Sequence, residues 1–335
     1  MITEEINNIP LKLVECPRDA MQGLKHFIPT DLKVQYINKL INCGFDTLDM
    51  GSFVSPKVIP QLKDTSIVLD KINPSPNTKL LTIVANVQGA QEAVEYDSIQ
   101  CLGYPFSISE TFQKRNINSS IKESLIRLEK IQNLCVKNNK KLVTYFSMAF
   151  GNPYGDEWSI YIVAHWAEKL LKDFGIDILS LSDTIGTSSP EVISWLFKKL
   201  IIEFPDVEFG AHLHSSPENY LVKLQSAYDA GCKRFDGSIL GIGGCPMAND
   251  DLVGNLATEK MIEFLESKSE KLNKIDDDNF TFSFDVINYE LGIQSLKDFD
   301  YTLANSNKGQ HIHFIVNNGP YSACLLYTSP SPRDR

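Results

Sequence analysis

From Leu11 to about Glu266 the chain repeats one rhythm: a short apolar run, a polar turn, then a stretch whose apolar residues recur three and four apart. The apolar runs predict eight strands, at 11–16, 46–52, 80–87, 99–108, 141–150, 177–183, 207–215 and 234–244. Helical periodicity fills the gaps and is clearest over 31–44, 120–138 and 159–175. Gly44, Gly175 and Gly231 fall where such helices stop, as left-handed C-terminal caps do. Eight strand–helix units in about 250 residues suit a single barrel. The competing architecture, an open doubly wound sheet, carries a glycine-rich phosphate loop after its first strand, and ECPRDAMQG is not one. The expected fold class is therefore α/β, a (β/α)8 TIM barrel over residues 11–268 behind a short leader at 1–10.

The rhythm ends at a solvated charge run, SKSEKLNKIDDDN. Residues 269–323 read as a C-terminal extension whose order the sequence leaves open. The last twelve residues, CLLYTSPSPRDR (324–335), resemble translated adapter read-through and are set aside from the fold as a non-native tail.

Composition narrows the partners. The 335 residues are 43% hydrophobic and 22% charged, with a net charge of −10, which argues against a nucleic-acid or anionic-membrane surface. A local basic patch for a phosphorylated ligand stays allowed. No apolar stretch approaches the roughly 18 residues of a membrane span. The acidic start, MITEEINNIP, lacks the apolar core of a signal peptide. The seven cysteines (16, 43, 101, 135, 232, 245 and 324) form no C-x-x-C pair, and with no export signal they point to reduced thiols in a cytosolic, cytoplasmic protein.

A barrel of this kind carries its chemistry where the strands end at their C-terminal side. Those ends are not bland. The first leads into Pro17-Arg18-Asp19, the second into Asp49, the sixth into Asp183, and the seventh holds His212 and His214. The eighth runs into GGCPMANDDLVGN, residues 243–255. Alternation along a strand puts residues 212 and 214 on one face, so both imidazoles can meet one ion. With the carboxylate of Asp19 and the amide of Asn255 they make a mixed N/O set suited to Mg²⁺ or Mn²⁺, and one that would also accept Co²⁺ or Zn²⁺. A second His-x-His, His311 and His313, lies outside the eight units and has no such company. Cys245 follows two glycines in a loop at this rim, where a thiol can exchange a proton. Arg18 is placed to neutralise an oxyanion, with a structural ion pair as its alternative reading. Asp183 either orients the site or relays a proton, or else caps the next helix.

These segments carry a resemblance. ECPRDAMQG, GSFVSPKVIPQLKDT, LSLSDTIGTSSPEV, GAHLHS and GIGGCPMANDDLVGNLATEK stand in the order and spacing of the hydroxymethylglutaryl-CoA lyases, over residues 11 to about 265. The resemblance implies a carbon–carbon lyase that cleaves a CoA thioester, 3-hydroxy-3-methylglutaryl-CoA, to acetyl-CoA and acetoacetate. It implies that Asp19, His212, His214 and Asn255 hold a divalent cation, Mg²⁺ or Mn²⁺. It further implies that Arg18 stabilises the enolate, that Cys245 protonates the departing carbanion, and that Asp183 is an acid near the substrate hydroxyl. Gln22 matches a residue close to the acyl group. TFQKRNINSS resembles the loop that meets CoA, so Lys114, Arg115 and Lys57 become candidates for its phosphates. Related condensing synthases, of the isopropylmalate or homocitrate type, share the Arg-Asp start and the His-x-His strand but lack the Gly-Gly-Cys-Pro loop. A homodimer remains open.

Three positions depart from the family pattern: Ala20 for a glycine, Asp49 for a glutamate and Ser215 for an aspartate. Asp49 keeps the charge with one methylene less, and a rearranged contact to Arg18 is expected. These departures leave two alternatives at this point, a condensing synthase of the same superfamily and a catalytically silent barrel that binds CoA esters.

Overall fold

The computed structural model describes residues 10–24, 26–244, 253–270 and 272, with the backbone of 313–314 and 322–323. The expectations for the leader, for Cys245 and His311, and for most of the C-terminal extension and tail fall outside the described residues. The chain divides into two units, Met1–Asp277 and Asp278–Arg335.

In the first unit eight parallel strands close on themselves. They are β1 (Lys12–Glu15), β2 (Thr47–Ser52), β3 (Lys79–Ile83), β4 (Ile99–Ser107), β5 (Lys141–Ser147), β6 (Ile178–Asp183), β7 (Glu208–Ser215) and β8 (Arg234–Gly237). Each pairs with the next, and β8 pairs with β1 to complete the barrel. The helices are α1 (Pro17–Gln22), α2 (Thr30–Cys43), α3 (Thr65–Lys71), α4 (Val87–Val94), α5 (Glu110–Ile117) and α6 (Ile121–Lys137). Beyond them run α7 (Ile160–Phe174), α8 (Pro190–Glu203), α9 (Tyr220–Asp229) and α10 (Thr258–Ser267). A two-residue strand, β9 (Gly254–Asn255), folds back antiparallel onto the end of β7. In the second unit His313–Phe314 (β10) pairs antiparallel with Ser322–Ala323 (β11).

The alternation along the strands sorts two cores. Leu81, Ile83, Cys101, Val143 and Tyr145 cluster inside the barrel. Their neighbours of opposite parity, such as Leu80, Leu102, Leu142 and Phe146, pack outward against Leu40, Leu128 and Ala167 of the helices. Both faces are thus buried, which is why the strands read as nearly continuous apolar runs. The helix ends follow local chemistry. Ser120 caps α6 in a reciprocal box with Glu123, and Gly44 and Gly175 close α2 and α7 in the left-handed conformation.

Three predicted strands overran by three residues or more, among them 141–150, which stops at Ser147. The run 80–87 stops at Ile83, because Asn86 turns to cap α4 by accepting from the Gly89 N–H. The run 234–244 stops at Gly237 and becomes a tight turn with Leu240 at φ 60°. Hydrophobicity continued past both points, and backbone hydrogen bonding did not.

Candidate active site

Every group singled out at the strand ends, within the described residues, lies at one end of the barrel. The register does much of this work. β7 sets His212 beside Ser182 of β6 on one side and Asp236 of β8 on the other. The short strand β9 sets Asn255 beside His214.

Arg18 is the centre of one half. The Cys16-Pro17 junction starts α1 immediately after β1, so Arg18 and Asp19 enter the site from a helix first turn. Nε of Arg18 lies 3.0 Å from Oδ2 of Asp49, and Nη2 lies 2.5 Å from the same oxygen. Nη1 donates to Oδ1 of Asp19 at 2.8 Å and to Oε1 of Gln22 at 3.0 Å. Gln22 closes the ring by donating to Asp19 Oδ1 at 2.7 Å. Burial disfavours the guanidinium charge, but Asp49 and then Asp19 outweigh it and hold its pKa above the ordinary value. The shorter Asp49 therefore reaches Arg18 Nε with both oxygens.

Asp19, His212 and His214 make the other half. One donor atom from each lies within 4.8 Å of the others, and all three residues are buried. Nδ1 of His212 stands 3.2 Å from Oδ2 of Asp236, which also accepts from Ser180 Oγ at 3.0 Å. Nδ1 of His214 stands 3.1 Å from the Thr184 carbonyl, so Nδ1 carries the proton and donates it there. Nε2 of His214 is buried with no hydrogen-bond partner. The two rings titrate apart. Burial lowers His212, but Asp236 and Asp19 outweigh that and hold it above the ordinary value. Burial and the neighbouring His212 push His214 down to about 4. Burial raises Asp19, but Arg18 and the two imidazoles bring it below the usual carboxylate range.

This donor set fits a hard divalent cation: a carboxylate, two imidazoles whose Nδ1 atoms are committed elsewhere, and a buried nitrogen lone pair that lacks a partner. Asn255 stands beside the set, its Nδ2 donating to Asp19 Oδ2 at 2.7 Å and to the Ile242 carbonyl at 3.0 Å.

Space beside the cluster is kept open by Gly243. A Cβ there would sit 2.4 Å from Asn255 Nδ2 and 3.0 Å from Asp19 Oδ2, and its φ of +116° disfavours any side chain. The next residue, Gly244, points its N–H at Asp19 Oδ2 from 3.4 Å.

The remaining expected residues divide. Asp183 is buried and already accepts from Thr187 N, Ser188 N, Ser188 Oγ and Lys223 Nζ. Such a carboxylate anchors the turn after β6, and the helix-cap reading does not hold, because Ser189 caps α8 by accepting from the Val192 N–H. Lys57, Lys114 and Arg115 all follow strands β2 and β4 at the same end of the barrel. Lys114 pairs with Glu110 at 3.1 Å, and the Arg115 guanidinium lies 4.7 Å over the ring of Tyr154. Ser215 shares the parity of Leu213 and so faces the helix layer, away from the two imidazoles.

Asp236, Thr184 and Lys223 were not singled out from the sequence. The only signal for Lys223 was its spacing: it falls with Leu224 and Ala227 on the buried face of α9, where an apolar residue is expected.

Comparison with known proteins agrees with this fold. The HMGL-like family model matches residues 12–282. The hydroxymethylglutaryl-CoA lyase YngG of Bacillus subtilis (strain 168) is 35% identical over 257 residues, 77% of this chain and 85% of that protein. The crystal structure of the B. subtilis HMG-CoA lyase superposes with a TM-score of 0.73 at 34% identity, covering 78% of this chain and 87% of the other. An HMG-CoA lyase from Acinetobacter baumannii, solved with coenzyme A and 3-methylmalate, gives a TM-score of 0.74 at 29% identity, covering 80% of this chain and 87% of the other. A match over most of its length, on a closed eight-stranded barrel, means that the chain belongs to the HMGL-like family.

Proposed function

We propose that this chain is a hydroxymethylglutaryl-CoA lyase, a carbon–carbon lyase that releases acetyl-CoA and acetoacetate from 3-hydroxy-3-methylglutaryl-CoA. The observation that carries the reading is the juxtaposition of a buried, carboxylate-held Arg18 with the Asp19–His212–His214 cluster on one rim. The B. subtilis relative, 35% identical, bears the name of this activity. Nothing in the site favours the condensing or the silent alternative.

Asp19, His212 and His214, with Asn255 beside them, are the residues assigned to a divalent cation, Mg²⁺ or Mn²⁺. When bound, such an ion acts as a Lewis acid that makes a hydroxyl easier to deprotonate and steadies oxyanions.

Arg18 takes the enolate oxygen. Of its five N–H groups, one is committed to Asp49 from Nε, two from Nη1 to Asp19 and Gln22, and one from Nη2 to Asp49. The remaining Nη2–H is the donor assigned to the oxygen on which charge develops as the bond breaks. Its aim is fixed before substrate arrives, so no reorganisation is needed as charge appears. Cys245 is the acid assigned to the departing two-carbon carbanion. It directly follows Gly244, whose N–H meets Asp19; the thiol proton passes to the carbanion carbon, and the proton given up by the substrate hydroxyl restores the thiol. Asp183 positions its loop rather than taking a proton. Lys57, Lys114 and Arg115 are assigned to the CoA phosphates as local cations on an acidic protein. A reducing cytosol suits the chain, because Cys16, Cys43, Cys101, Cys135 and Cys232 are buried and in no disulfide. Among the described residues, no helix is long and apolar enough to cross a membrane.

Incubation of the purified protein with Mg²⁺ and 3-hydroxy-3-methylglutaryl-CoA should release acetyl-CoA. No release, with condensation of acetyl-CoA onto a 2-oxo acid instead, would overturn the lyase reading. Replacing Cys245 by Ala should lower turnover by about 10²- to 10⁴-fold while Mn²⁺ still binds.

A further inference from the structure

Lys223 belongs to no step above, yet it is one of the largest fully buried side chains of the protein. Its ammonium has three donors and meets three acceptors: Asp183 Oδ2 at 2.7 Å, the Gly186 carbonyl at 2.7 Å and the His214 carbonyl at 2.9 Å. A buried charge costs several kcal/mol to desolvate and persists only when its hydrogen bonds are complete. A plain core position on α9 would be served better by leucine or methionine.

The three acceptors do not belong to one segment. Asp183 and Gly186 lie at the exit of β6, and His214 lies at the end of β7. Between them sits Thr184, which reaches both neighbouring strands. Its carbonyl takes the proton of His214 Nδ1 at 3.1 Å, and its Oγ1 accepts from the N–H of Met148 at 3.0 Å. Met148 holds the left-handed conformation, φ 61°, directly after β5. Lys223 thus joins the two backbone segments whose separation decides whether the His214 imidazole finds the Thr184 carbonyl. With Nδ1 committed there, Nε2 is the nitrogen left buried and unpartnered beside Asp19 and His212.

We propose that Lys223 is a positioning residue. It locks the loop after β6 against the end of β7, so that His214 keeps one tautomer and one orientation and presents Nε2 to a divalent cation. The proposal rests on the reading of Asp19, His212 and His214 as ligands. Asp183 then serves as the counter-charge that lets a lysine, with its three donors, replace an apolar residue at this place.

The test uses the full chain and Mn²⁺ alone, titrated by the electron paramagnetic resonance signal of the free ion. Lys223→Met should raise the Mn²⁺ dissociation constant about ten- to hundredfold, the range for lost support behind a ligand. Because that variant leaves Asp183 buried without its partner, the double variant Lys223→Met, Asp183→Asn is measured beside it. The double variant should recover thermal stability and still bind Mn²⁺ weakly. ¹⁵N spectra of histidine-labelled, metal-free protein supply a readout independent of binding: His214 should show a single Nδ1–H tautomer in the parent and a mixture in both variants. A double variant that binds Mn²⁺ as tightly as the parent, with an unchanged tautomer, reduces Lys223 to a neutraliser of Asp183 and overturns the proposal. A parent protein that binds no Mn²⁺ defeats the ligand reading itself, and the proposal with it.

Discussion

At the rim of the barrel Oδ2 of Asp49 stands 2.5 Å from Nη2 and 3.0 Å from Nε of Arg18, with no side-chain surface of Asp49 exposed to solvent. Arg18 enters from the first turn of α1, directly after β1, and Asp49 from β2, the strand paired with β1. Asp49→Asn keeps the shape and removes the charge that aims the guanidinium. Its kcat is expected to fall about a hundredfold with KM little changed, the signature of an interaction stronger in the transition state. Asp49→Glu restores the residue usual in the family, yet here the extra methylene must enter a filled site. A loss of about tenfold is expected from overpacking and a displaced Arg18. Steady-state kinetics of the two variants check this, and a Glu variant faster than the parent would show that Asp49 is not matched to Arg18.

Much of this was legible in the chain because the barrel is regular. A period of two along each strand put His212 and His214 on one face, and the strand-end rule brought Arg18, Asp19 and Asp49 to them. What the sequence left open has a common cause, namely partners that meet only when the barrel closes. Asp183 read as a strand-end acid, but its four donors come from the turn at 187–188 and from α9. Asp236 carried no signal until β7–β8 registry set it beside His212.

Asp236, which also accepts from Ser180 Oγ, should matter to the cluster through His212. Its Oδ2 lies 3.2 Å from Nδ1 of that ring and fixes which nitrogen faces Asp19. Asp236→Asn can present its amide N–H to Nδ1, which favours the opposite tautomer. Mn²⁺ affinity is expected to fall about ten- to hundredfold. Calorimetric titration of metal-free protein measures it, and an unchanged affinity would detach His212 from the cation.

Gly243 makes a steric prediction. Alanine there brings a carbon to 2.4 Å from Asn255 Nδ2 and 3.0 Å from Asp19 Oδ2. Asp19 and Asn255 are held on all sides, so the loop must yield. The positive φ adds about 1–3 kcal/mol of strain. Gly243→Ala is therefore expected to lose Mn²⁺ binding and turnover together by at least about a hundredfold, while the melting temperature drops only a few degrees. Retained metal affinity would mean that the loop can move aside freely.

The pH dependence of stability has an identifiable contributor away from the chemistry. Glu15, wholly buried at the end of β1, accepts from the Ile239 N–H at 3.0 Å and from the hydroxyl of Thr258. Burial pushes its pKa from 4.5 up to about 8, in spite of these two hydrogen bonds. At neutral pH the folded protein thus keeps this proton and the unfolded chain has released it. The unfolded state binds fewer protons throughout that interval, so stability from this group is complete below pH 4.5 and is lost as pH rises through about 8. Glu15→Gln keeps the shape and titrates nowhere. The parent should lose about 4 kcal/mol relative to the Gln variant between those two pH values, as an upper figure for a group so deeply buried. Urea unfolding at pH values across the interval reads the difference directly. Parallel profiles for the two proteins would show that Glu15 is already ionised in the folded state, with its charge held by Thr258 and Ile239.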